Sequence, residues 1–125
     1  MERIQGFKDL LVWQKSMDLT MCVCEIVQCL PKNETYALSD QIRRAAVSIP
    51  SIIAEGQARQ TKKEFLQFLW IARGSRAELE TQILIAQKLG YLQNVPEGKL
   101  QTLFSLSDEV ARMLYALIVK LSQQE

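Results

Sequence analysis

Residues 100–121 read LQTLFSLSDEVARMLYALIVKL, and their spacing decides the fold class. Leu100, Leu103, Ser107, Val110, Leu114, Leu117 and Leu121 follow one another in steps of three and four, which returns them to one face of a helix. Phe104, Ala111 and Ile118 repeat every seven beside that stripe. Three more segments keep the same rhythm. Val12, Ser16, Leu19, Val23, Ile26 and Leu30 mark a helix over about 9–30, widened by Trp13, Thr20 and Val27, capped by Asp9 and stopped by Pro31. Leu38, Ile42, Ala45, Ile49 and Ile52 mark a second over about 35–56, ended by Gly56 and expected to kink at Pro50, whose ring removes a hydrogen bond. Phe65, Phe68, Ala72, Ser75, Leu79, Ile83 and Ala86 mark a third, opened by the capping box Thr61-Lys62-Lys63-Glu64 and closed by Leu89-Gly90. Asn94-Val95-Pro96 reads as the start of the fourth. Gly74-Ser75 in the middle of the third helix is expected to admit a close neighbouring helix.

No segment alternates with period two. Short connections between long helices favour antiparallel neighbours, so the expectation is all-α, one antiparallel up-down-up-down four-helix bundle over residues 1–125. The 125 residues, 48% hydrophobic and 23% charged, make one globular domain able to fold without a staple. The longest uncharged stretch, Ala45 to Ala54, is too short to span a membrane and contains Pro50, so no membrane role is expected. Of the three cysteines, Cys22 and Cys24 point about 200° apart on a helix, and Cys22 and Cys29 share a side but sit roughly 10 Å apart along its axis, so they read as free thiols of a cytoplasmic protein rather than as a metal site.

The chemistry available is narrow. There is no histidine, so the commonest general base and metal ligand is missing, and a Ser-His-Asp device is impossible. There is no phosphate-binding glycine loop, and Glu78 and Glu80 point apart on one helix. The chain is expected to be no enzyme and to need no cofactor or metal. Glu55 beside Gly56 reads as the partner of Arg59 one turn on.

Charge is more telling by region than in total. The net charge is only +1, which excludes nucleic-acid coating by bulk charge. Residues 41–90, however, hold eight basic and four acidic side chains. Arg43, Arg44, Arg59, Lys62, Lys63, Arg73 and Arg76 are the candidate nucleic-acid contacts. Asp40–Arg44 and Arg76–Glu80 are spaced to neutralise one another, whereas Arg59, Lys62 and Lys63 gather at a helix N-terminus, a place that favours phosphate. A second apolar row on the third helix, Leu66, Trp70, Ala77 and Leu84, exceeds what a monomeric core needs. With Trp13 it suggests a homo-oligomer interface of Trp13, Leu66, Trp70 and Ala77.

Several words of the sequence occur together in order. They are Phe7-Lys8-Asp9-Leu10-Leu11-Val12-Trp13-Gln14-Lys15, Gln41-Ile42-Arg43-Arg44-Ala45-Ala46-Val47-Ser48-Ile49, Ile53-Ala54-Glu55-Gly56, Glu64-Phe65, Phe68-Leu69, Gly74-Ser75, Glu78-Leu79 and Leu89-Gly90-Tyr91-Leu92. Across nearly the whole chain this resembles the bacterial four-helix-bundle family encoded in intervening sequences of large-subunit ribosomal RNA genes. That family is similar in fold to the accessory variability proteins of diversity-generating retroelements. The resemblance implies a non-enzymatic homo-oligomer, with a pentamer the expected assembly, that works on RNA or another nucleic acid or beside an RNA-handling protein such as a reverse transcriptase. It supplies no catalytic residues. The rival expectation is a protein-only interaction scaffold. Where the family commonly has asparagine before Ala-Glu-Gly, this chain has Ile53.

Overall fold

The computed structural model describes residues 6–32 and 36–124. A 3-10 turn, Phe7–Asp9, leads into four α-helices: α1 (Leu11–Val27), α2 (Tyr36–Gln57), α3 (Lys62–Lys88) and α4 (Lys99–Ser122). There is no strand among the described residues, and none of their helices is long and apolar enough to cross a membrane.

Sequence neighbours pack against one another, α4 closes back onto α1, and the backbones of the diagonal pairs stay apart. The directions follow from paired residues. Lys15 meets Glu109 and Glu25 meets Lys99, so α1 and α4 run oppositely. Arg73 meets Tyr115 and Lys62 meets Gln124, so α3 and α4 do too. Gly56 lies against Phe68 while Gln41 and Arg44 share a groove with Glu78 and Gln82, which sets α2 against α3. Three reversals around a square leave α1 and α2 antiparallel as well, the expected up-down-up-down bundle.

Its core is one cluster. All six residues of the expected α1 stripe are buried, and Leu19, Val23 and Ile26 are sealed from solvent. Leu103, Ser107, Val110 and Leu114 do the same for α4. On α2 and α3 the buried face is rotated slightly from the expected stripes. Ala46, Ile53 and Leu69 are fully buried, whereas Leu38, Ile52, Phe65 and Phe68 sit at the edge. Ile53 therefore fills a core slot, where an asparagine would need a buried partner for its amide.

Several helix ends differ from expectation, each for a local reason. Asp9 does not cap α1. It ends the 3-10 turn that brings Phe7 edge-on to Trp13 at 5.2 Å, and Leu10 takes the cap position while burying its side chain. α1 stops at Val27, and Leu30 reaches the core through a turn in which the Leu30 N–H donates to the Val27 carbonyl at 3.1 Å. The Asn94-Val95-Pro96 signature opens a turn, not α4. Gly98, at a left-handed φ of 86°, redirects the chain and α4 begins at Lys99. Thr61 does cap α3: its hydroxyl oxygen accepts from the Glu64 N–H at 3.1 Å, while the Glu64 carboxylate accepts from the Thr61 hydroxyl at 3.0 Å.

Two glycines exchange their expected roles. Gly74 is exposed, and a Cβ there would meet nothing within 4 Å, so no helix of the same chain approaches it. Gly56 is not a stop; it lies inside α2, where a Cβ would fall 2.4 Å from Phe68 Cβ. It is a point of close approach between α2 and α3.

Pro50 is buried within α2, which continues past it as a single helix. Its missing N–H deprives the Ala46 carbonyl of its usual partner one turn on. Thr20 of α1 replaces that partner. Its hydroxyl is shared between the Ser16 carbonyl at 2.9 Å and the Ala46 carbonyl at 3.0 Å, in a buried setting. The defect in one helix thus becomes a polar clasp to its neighbour.

Candidate nucleic-acid interface

The seven candidate cations do not form one surface. Arg43 and Arg44 lie on α2, Arg59 in the α2–α3 connection, Lys62 and Lys63 in the first turn of α3, and Arg73 and Arg76 midway along it. The loop cluster is more neutralised than its sequence suggests. Arg59 pairs with Glu55 at 2.9 Å, reaches Glu64 at 4.0 Å and lies 4.8 Å over the Phe68 ring. Lys62 donates its ammonium to the backbone carbonyl of Gln124, at the far end of α4. Arg44 pairs with Asp40 at 3.3 Å, as the spacing predicts.

Arg76 is structural. Its guanidinium donates to Glu80 at 3.0 Å and to the buried Ser107 hydroxyl at 3.5 Å, and Ser107 in turn donates to Glu80 at 3.3 Å. This triad crosses the α3–α4 seam. Arg76 Nε is buried without a partner among the described residues. Three candidates remain: Arg43, Lys63 and Arg73 are exposed and have no carboxylate partner among the described residues. Arg73 is held by rings instead, 5.6 Å from the centre of Trp70 and 5.2 Å from that of Tyr115.

The four candidate interface residues also separate. Trp13 is half-buried against Phe7, and Leu66 packs at the edge of the core of its own chain. Trp70, 49% exposed, and Ala77 face solvent. Large apolar side chains outside the periodic stripes are exposed too: Met17, Met21 and Val47 on the α1 and α2 side, Ile71, Leu84 and Ile85 on α3. The spacing passed over Met17, Met21, Ile71 and Ile85 because they fall between stripes. Tyr115 was missed for the same reason, since its partner Arg73 lies on another helix.

A second feature joins α2 to α3. Gln41, Arg44, Ala45, Ser48, Ser75, Glu78 and Gln82 line a groove of about 510 Å³. Residues from the sequence words at 41–49, 74–75 and 78–79 meet across it, and Gln82 Oε1 is buried there without a donor among the described residues.

The cysteines are free. Cys22 is buried, and Cys24 and Cys29 are half-buried. Burial pushes the Cys22 thiol pKa up, with smaller opposing effects of Lys99, which lowers it, and Glu25, which raises it. Its thiol therefore stays protonated, in reach of the Lys99 carbonyl at 3.9 Å. No group of three His, Cys, Asp or Glu side chains among the described residues is placed to hold a metal ion.

No curated protein matches the chain. Residues 8–116 match the family described as 23S rRNA-intervening sequence protein, which is most of the sequence and spans all four helices. The chain belongs to the 23S rRNA-intervening sequence protein family.

Proposed function

We propose that this protein is a non-enzymatic, cytoplasmic homo-oligomeric adaptor that binds RNA through exposed cations of α2 and α3. The observation that carries this reading is the division among the seven candidates. Four have their charge engaged within the chain, while Arg43, Lys63 and Arg73 remain exposed with no carboxylate partner among the described residues. Cations left in that state bind phosphate without first giving up an ion pair. Family membership supports an association with RNA.

Assembly would supply the affinity that a net charge of +1 does not. Met17, Met21 and Val47 lie on the α1–α2 side, and Ile71 and Ile85 on α3. Two different apolar surfaces fit a head-to-tail contact, which closes a ring when the rotation allows; five copies are the expected number. A ring repeats the exposed cations on every subunit, and valency multiplies weak contacts. A reverse transcriptase is the proposed protein partner if the gene sits beside a retroelement, and a ribosomal RNA gene around it marks the other setting.

The test measures RNA binding at low salt by the wild type and by R43A/K63A, with light scattering to follow assembly. The proposal expects binding by an oligomer, weakened in the variant with assembly unchanged. A stable monomer at micromolar concentration contradicts the assembly. An oligomer that binds no RNA supports the second reading, a protein-only scaffold, which the ion pairs of Arg44, Arg59 and Arg76 favour.

A further inference from the structure

We infer that Trp70, Arg73 and Tyr115 form a stacking platform for the unpaired bases of single-stranded RNA, an inference that rests on the RNA-binding reading and narrows it to one class of ligand. The two rings belong to different helices, α3 and α4, and are 49% and 50% exposed. Arg73 lies within cation–π distance of both. Exposed cation–π contacts contribute little to stability, so the cluster adds little to the fold. Its effect is to hold a flat guanidinium beside two aromatic surfaces, on an exposed arginine with no carboxylate partner among the described residues.

The surroundings carry the argument further. At about 100° per residue, Lys63, Trp70, Arg73, Ala77, Leu84 and Lys88 fall within about 80° of one another around α3. No acidic residue of α3 falls in that arc. The row that reads as apolar from spacing is therefore interleaved with cations. Lys63 and Arg73 are separated by ten residues of helix, about 15 Å of rise, and Lys88 continues the line. Beside Trp70, a groove of about 440 Å³ is lined by Arg73, Gly74, Arg76 and Ala77. Small residues form its floor, and the space above Gly74 is open. A ligand matching this face must offer a flat π surface and negative charge repeated along its length. A single-stranded nucleic acid offers both, because each base has a π face and each phosphate an anion. A duplex offers the phosphates but keeps its bases stacked on one another.

The experiment compares a short oligouridylate with an RNA duplex of the same length, using wild type, W70A/Y115A and W70F. The platform expects the wild type to prefer the single strand and the double alanine variant to lose roughly tenfold in affinity for it. It expects little change for the duplex, near wild-type affinity in W70F, which keeps a ring, and tryptophan fluorescence quenched by the oligonucleotide in wild type but not in W70F. Equal affinity of wild type and W70A/Y115A for the single strand overturns the platform while leaving RNA binding intact. A wild type that binds neither RNA overturns both readings. Loss of assembly in W70A/Y115A overturns the platform in favour of a contact between copies of the chain.

Discussion

Between α1 and α2 the polar content of the packed surface centres on the Thr20 hydroxyl, buried and shared with a carbonyl that Pro50 leaves open. Between α3 and α4 it is a charged triad, Arg76, Glu80 and Ser107, and the outer edge of that seam carries Arg73 between two half-exposed rings. The first seam closes a defect of the backbone. The second is a charged network whose outer edge is open to solvent. A neutral clasp and a charged network thus lie on opposite sides of the same square bundle, and substitutions in the two seams should behave differently.

The largest effect is expected at Gly56, where α2 packs tightly against α3. Gly56→Ala places a methyl group 2.4 Å from Phe68 Cβ, an atom too near the backbone to swing aside. Denaturant unfolding at fixed protein concentration should show a loss of about 2–3 kcal/mol. Thr20→Val comes next, at about 2 kcal/mol, because it strands the Ala46 carbonyl in a buried site. In a Pro50→Ala background that loss should shrink, since the new N–H satisfies the carbonyl. A double-mutant cycle with no coupling would break the clasp account.

Arg76→Met should cost only about 1 kcal/mol, because Ser107 still donates to Glu80 and the arginine leaves no fully buried charge behind. A loss larger than that of Thr20→Val would reverse the ranking of the two seams. The smallest effect has the opposite sign. Gly74→Ala, in an exposed helix interior with open space above it, should raise stability by about 0.5–1 kcal/mol in thermal unfolding. Two glycines of one sequence would then respond in opposite directions to the same added methyl.

Periodicity made much of this legible. The α1 stripe, from Val12 to Leu30, identifies its core face in full because burial there follows helix geometry alone. The α4 stripe does so from Leu103 to Leu114, whereas Leu100, Leu117 and Leu121 sit at the edge and Ile118, from the row beside them, is buried. The α2 and α3 stripes are incomplete in the same way. Leu69 and Ile53 enter the core through the rotation of each helix against its neighbours, which spacing within one segment does not contain. The same limit explains the glycines: only the position of Phe68 distinguishes Gly56 from Gly74. It explains the candidate site too. Local pairs such as Asp40–Arg44 follow from i,i+4 spacing. The contacts of Lys62 with Gln124 and of Arg73 with Tyr115 depend on how α4 returns along α3.

The central claim, that cations without carboxylate partners are the ones that meet RNA, is tested most directly by salt dependence. Affinity for a single-stranded RNA is measured across salt concentrations for wild type, for R43A/K63A, which removes two free cations, and for R44A/R59A, which removes two paired ones. The two variants lose equal charge. Counterion release predicts that the slope of log affinity against log salt falls by about 1.4 in R43A/K63A and scarcely changes in R44A/R59A. Equal slopes in the two variants, or a wild type that does not bind at low salt, would contradict it.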